Sequence, residues 1–146
     1  MMKHACVLLT FVFCLMLFGC VSERKNQLEG TWRLVSGSSK VADTTYDYTK
    51  MGYDGLKMYC DNHFMFVGRF VQSDTTENNY GGGNYTLEGN ILTEVIRYFP
   101  VTAMIGDTLS YEIRFSGDTL TQQGPRKIGK YRDSKWELHE VYVRAK

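Results

Sequence analysis

Leu56-Lys57-Met58-Tyr59-Cys60-Asp61-Asn62-His63-Phe64-Met65-Phe66-Val67-Gly68-Arg69-Phe70-Val71 holds two apolar segments hinged on two polar residues. Strand side chains alternate faces with a period of two, so Phe64, Phe66 and Phe70 share one face of a strand over 63–71. Asp61-Asn62 is a pair that tolerates the left-handed backbone of a tight hairpin turn, which makes 56–60 the partner strand. The same punctuation recurs along the chain. Glu88-Gly89-Asn90 separates a strand over 85–87 from one over 91–99. Ser116-Gly117-Asp118 separates 109–115 from 119–123. A strand over 28–36 precedes these, and one over 136–144 closes the series, making eight strands joined in sequence order. The two long gaps, a polar loop over 37–55 and an acidic loop over 72–79, are expected to be irregular. No segment carries a helical period. Eight antiparallel strands in sequence order close most economically into an all-β up-and-down β-barrel, which leaves no sheet edge. A two-sheet β-sandwich is the alternative. At eight strands the interior either fills with side chains or holds one small ligand.

Upstream of the strands, the apolar run from Ala5 to Phe18 follows the basic Lys3 and ends in Leu17-Phe18-Gly19-Cys20. The run is shorter than the roughly 20 residues a membrane-spanning helix needs and suits a cleaved signal. Its close reads as a bacterial lipobox: Leu17 at the third place before the cysteine, small Gly19 beside the cut, and Cys20 as the acylated residue. The bulkier Phe18 departs from the usual pattern. An ordinary secretory signal with Cys20 incidental is the competing reading, although no A-x-A site follows. The expectation is therefore a signal peptide over 1–19, a lipidated Cys20 with a polar tether over 20–27, and a barrel domain over 28–146. Acyl chains such as palmitate on Cys20 would hold the protein to a lipid membrane, since two or more chains anchor stably. Val21, in place of the aspartate that retains enteric lipoproteins in the inner membrane, points to the outer membrane of the cell envelope.

Cysteine count and charge bound the rest. Cys6 and Cys14 leave with the signal and Cys20 is acylated, so Cys60 is the remaining thiol, expected to pack in the core. The whole chain has 17 Lys+Arg against 16 Asp+Glu, and losing Lys3 makes the mature body neutral. A neutral body has no electrostatic claim on nucleic acid. His63 and His139 lack metal-ligand spacing, so no metal and no cofactor are expected. Gly81-Gly82-Gly83 lacks the Lys-Ser/Thr pair of a phosphate loop. No nucleophile–base pair is visible, so no catalytic residue is assigned and the protein is not read as an enzyme.

Gly30-Thr31-Trp32, within Leu28-Glu29-Gly30-Thr31-Trp32-Arg33-Leu34-Val35-Ser36, resembles the G-x-W signature on the first strand of lipocalins. The closing Trp136-Glu137-Leu138-His139-Glu140-Val141-Tyr142-Val143-Arg144 is similar to the last strand of small lipocalin-like lipoproteins of Bacteroidetes type. His63-Phe64-Met65-Phe66 and Gly82-Gly83-Asn84-Tyr85-Thr86-Leu87 followed by Thr93-Glu94 also suit that group, and the resemblance spans about 28–144. It implies structural roles for Trp32, plugging the closed end, and for Arg144, packing over the indole ring. The second and third lipocalin signatures and the C-terminal helix are absent. The resemblance also places the 37–55 loop over an open barrel mouth.

That loop carries Tyr46, Tyr48 and Tyr53, whose rings offer apolar faces and polar tips to a guest, or pack back onto the rim. If Trp136, Leu138, Glu140 and Tyr142 face inward, Glu140 enters the interior and needs a partner, with Arg97, Arg114 and Gln122 as candidates. The ligand-binding set is thus Tyr46, Tyr48, Tyr53, Phe64, Phe66, Arg97, Tyr111 and Glu140. The basic run Arg126-Lys127-Ile128-Gly129-Lys130-Tyr131-Arg132 is either a solvated loop or a contact for anionic headgroups near the tether. The functional expectation is a small apolar or amphipathic ligand in the barrel mouth. The alternative is a non-enzymatic envelope interaction module with a filled core, worked by its surface. A cup used as a cryptic active site is a third reading.

Overall fold

The computed structural model describes residues 26–125 and 136–146. The lipobox, the tether up to residue 25 and the basic run from Arg126 lie outside the described residues. Nine strands follow in order: β1 (Gly30–Val41), β2 (Thr44–Asp47), β3 (Tyr53–Cys60), β4 (His63–Gln72), β5 (Thr75–Glu88), β6 (Ile91–Tyr98), β7 (Thr108–Ser116), β8 (Thr119–Pro125) and β9 (Trp136–Arg144). A 3-10 turn, Thr102–Met104, lies between β6 and β7. Every neighbour pairs antiparallel, and β1 pairs with both β3 and β9. The eight strands β1 and β3–β9 therefore close into one barrel, with β2 as a short arm folded back on the end of β1. The sandwich alternative is excluded, because a single sheet closes on itself.

Three tight turns lie at one end, as expected. Asp61 and Asn62 both have positive φ (46° and 63°), and Cys60 faces His63 across them. Gly89-Asn90 joins Glu88 to Ile91, and Gly117-Asp118 joins Ser116 to Thr119.

The two expected loops are mostly strand instead. Over 37–55, β1 continues to Val41, turns at Ala42 (φ 52°) and returns as β2, with Ser38 facing Asp47 and Val41 facing Thr44. Over 72–79, Gln72 pairs with Thr75 around Ser73 (φ 39°), and Asn79 pairs with Gly68. Polar, turn-forming residues can run in strands where the sheet gives their backbone groups partners and the faces are wet, so composition alone misassigned them.

Two bulges set which residues face inward. In β1 the register slips between Leu34 and Ser36, so the buried set changes from Trp32 to Gly37 and Ser39. Between β5 and β6, Gly82 faces Tyr98 while Gly83 faces Ile96, leaving Arg97 unmatched. At Gly83 a β-carbon would drive into the Val95 carbonyl oxygen, so this bulge needs glycine.

The end with the tight turns is plugged. Asn26 starts a turn by accepting the Leu28 N–H on its side chain and the Glu29 N–H on its carbonyl (3.0 and 2.9 Å). Leu28 and Trp32 are fully buried there, and the indole Nε1 donates to Leu28 O at 2.7 Å. Arg144 lies over the Trp32 ring, 4.2 Å from its centroid, and donates to the carbonyls of Glu29 and Gln27 at 2.8 Å each. A cation over an indole contributes about 0.5–2 kcal/mol. Gly30 has φ +121°, and a β-carbon on it would stand 2.6 Å from Arg144 Nη1. Glycine and tryptophan two residues apart are therefore both needed to seat the arginine. Tyr59, Phe64, Tyr85, Leu92, Ile113 and Leu120 complete the core above the plug.

Candidate functional site

At the opposite end the barrel is open. The 42–52 segment, the 73–74 turn and the 99–107 connection ring this end, and β8 and β9 reach it at Pro125 and Trp136. Inside is a cavity of about 420 Å³, within the usual range for small-molecule sites. Its wall is mainly aromatic. Tyr46 and Tyr48 come from β2 and the segment after it, Tyr53 from the start of β3, Phe64, Phe66 and Phe70 from β4, and Tyr111 and Tyr142 from β7 and β9.

Most of the expected residues meet here. Trp136, Leu138, Glu140 and Tyr142 all line the cavity, so β9 has the inward register expected of it. The tyrosines of the former loop reach the same space from an ordered arm. Tyr48 is buried in a cluster with Ile96, Leu109, Tyr111 and Leu138, and Tyr53 packs at a tilt on Phe70 with ring centroids 4.6 Å apart. Asn79 Nδ2 donates to the Tyr53 hydroxyl at 3.2 Å. The inward rings of Phe64, Phe66, Phe70 and Tyr111 narrow the barrel without filling it.

Three placements are corrected. Arg97 is exposed on the outer surface at the β5–β6 bulge, with Nε donating to Asn84 Oδ1 at 3.3 Å, so it does not enter the cavity. Inward residues of β6 are Leu92, Glu94 and Ile96, and Arg97 falls on the other face. Arg114 is likewise outside, paired with Glu112 at 2.9 Å, where its hydrogen bond, with that of Gln123, holds the Glu112 carboxyl below the usual carboxylate range. Cys60 is exposed rather than packed, because it follows Tyr59, which faces in, at the end of β3.

The polar centre of the cavity was not expected. Lys57 and Glu94 lie in the wall with side chains 8% and 2% exposed, Nζ standing 2.8 Å from Oε1 and 3.0 Å from Oε2. Lys57 also donates to Gln122 Oε1 at 3.3 Å, and the Tyr59 hydroxyl donates to Glu94 Oε1 at 2.7 Å. The ammonium sits 5.5 Å from the ring centroids of both Tyr59 and Phe64. Two charges taken out of water need such a saturated set of partners to persist. Burial, then the adjacent Glu94 charge, pushes the Tyr59 phenol well above its ordinary value. Gln122 thus partners Lys57, not Glu140, and its Nε2 has no protein partner.

The turn chemistry already contained the signal for Lys57. A two-residue turn at 61–62 pairs Tyr59 with Phe64 and Lys57 with Phe66. Once the phenylalanines face inward, cross-strand pairing puts Lys57 inward as well. Glu94 follows in the same way, since the 89–90 turn pairs it with inward-facing Tyr85.

Glu140 faces Gln122 across the β8–β9 ladder but makes no hydrogen bond to the Lys57–Glu94 pair. Its Oε2 accepts from the Tyr142 hydroxyl at 2.8 Å. Burial, then the Glu140 charge, pushes the Tyr142 phenol well above its ordinary value, so Tyr142 remains a donor. Among the described residues no cation pairs with Glu140, and no group of three His, Cys, Asp or Glu side chains is arranged to hold a metal.

No protein-family model matches this chain, and no curated protein matches it. Among solved structures it is similar to a lipocalin-like protein from Bacteroides uniformis, with 14% identity and a TM-score of 0.47 over 82% of this chain and 100% of that one. The strand pairing by itself defines the class: a closed eight-stranded antiparallel barrel, plugged at one end and hollow toward the other.

Proposed function

We propose that this protein is a lipid-anchored lipoprotein of the cell envelope whose barrel takes a small apolar or amphipathic molecule through its mouth. The single observation that carries the ligand reading is the cavity of about 420 Å³, walled by aromatic rings with a few polar groups at fixed places. A surface-acting module with a filled core would need no such space. The anchor rests on Leu17-Phe18-Gly19-Cys20 and its apolar run, and it suits where the chain enters the barrel. Asn26 lies at the plugged end, six residues after Cys20, so acyl chains there would turn the mouth away from the bilayer. Outer-membrane placement follows the Val21 reading.

Native mass spectrometry of the chain from residue 20, carrying Cys20→Ser and produced through an export pathway, tests the ligand reading. The expected result is an added mass that organic solvent removes, or a shift on adding fatty acids, long-chain alcohols, alkylamines, bile acids or haem. A clean mass with no shift on the whole panel would overturn it. For the anchor, the wild-type chain should incorporate labelled palmitate and Cys20→Ala should not.

A further inference from the structure

The charges of the described residues in the cavity wall do not balance. Among the described residues lining it, the ionisable side chains of full charge are Lys57, Glu94 and Glu140. Lys57 and Glu94 neutralise each other at 2.8 Å in a buried pair that Tyr59 and Gln122 complete. Glu140 is left over, with a phenol as its partner. Tyr142 holds Oε2, and Tyr48 lines the same cavity. A β-carbon on Gly37 would stand 2.7 Å from the Tyr48 ring and 3.5 Å from Glu140 Cγ. The Tyr142 hydroxyl is held as a neutral donor, so the formal charge of the described lining residues is that of one carboxylate.

A carboxylate bordered by ring faces attracts a cation, since both carry negative potential toward it, and the attraction grows as water is excluded. The same field opposes an anion entering the cavity. We infer that the barrel selects an apolar molecule bearing a protonated amine or quaternary ammonium group, which Glu140 meets inside the cavity, midway along β9, while the body lies against the rings. This rests on the ligand-binding reading above and deepens it: an alkyl carboxylate becomes the disfavoured guest. Lys57 does not reverse the sign, because both Glu94 oxygens stand within 3.0 Å of its Nζ.

Three ligands of one chain length separate the outcomes: decylamine, decanol and decanoate, titrated at neutral pH into the chain from residue 20 with Cys20→Ser. The expected order is amine, then alcohol, then carboxylate, with at least a tenfold gap in affinity between first and last. Glu140→Gln keeps an acceptor for the Tyr142 hydroxyl, and it should shrink that gap to within about threefold by weakening decylamine and strengthening decanoate. Arg97→Gln, on the outer face, should leave the gap as it is. Decanoate binding as tightly as decylamine, or a gap that survives Glu140→Gln, would overturn the inference and leave the ligand-binding reading intact. Binding of none of the three would overturn both. Matching thermal unfolding of the variants and the parent shows that each comparison is made on a folded barrel.

Discussion

Lys57 lies between Leu56 and Met58 in sequence, yet its ammonium is buried and both apolar neighbours are more exposed. Its environment makes a definite prediction, because removing one member of a buried pair strands the other charge. Lys57→Met should lower stability by about 3–5 kcal/mol in urea unfolding, whereas adding Glu94→Leu should recover most of that loss. Tyr59 and Tyr142 make a second prediction, in alkali. Both phenols are raised in the folded barrel above the ordinary value of 10.0. The folded state therefore holds these protons more tightly than the unfolded chain does. Their contribution is fully present below about pH 10 and falls as pH rises beyond it. Stability followed by circular dichroism should decline above that pH, and Tyr142→Phe should make the decline shallower.

At the scale of the strand, positions that cannot bear a side chain define the barrel's shape. Gly83→Ala should cost about 3 kcal/mol, the upper end of overpacking penalties, because the new methyl meets a backbone carbonyl fixed in β6. Gly89→Ala, at φ +62° with open space around it, should cost only about 1 kcal/mol. A gap of that size in paired urea unfolding would assign the Gly83 effect to the bulge rather than to glycine's backbone freedom. The strands carrying alternating aromatics were readable from composition, and so were the turns at 61–62, 89–90 and 117–118. The arm formed by β2 and the mouth-end half of β5 were not. Their residues are polar and small, and they become strand because a paired neighbour accepts their backbone groups. The inward set of β6 was equally hidden, since nothing in the order of side chains announces the bulge that leaves Arg97 outside.

For the molecule as a whole, the anchor proposal implies an orientation. The plugged end carries Asn26 and the 61–62 turn, and Cys60 beside that turn is exposed. The 73–74 turn lies at the opposite end. A fluorophore on Cys60 of the acylated protein in vesicles should transfer energy to a membrane-surface acceptor more strongly than one at Ser73→Cys in a Cys60→Ser background. Equal transfer would mean the barrel lies on its side or tumbles freely on its tether.

Local chemistry in the chain was enough to determine antiparallel strands in sequence order and their tight turns, while the pairing of Trp32 with Arg144 was implied only by the resemblance of Gly30-Thr31-Trp32 and the last strand to a known family. Period-two alternation and two-residue turns are properties of adjacent residues, and the sequence holds them directly. Closure of β1 on β9, the two bulges, the neutralisation of Lys57 by Glu94 and the isolation of Glu140 were decided only by tertiary structure. Each depends on groups brought together from distant strands, where one residue of slip would exchange the inner face for the outer. Whether rings facing a common axis leave a cavity or fill it is likewise a matter of volume, which no single strand contains.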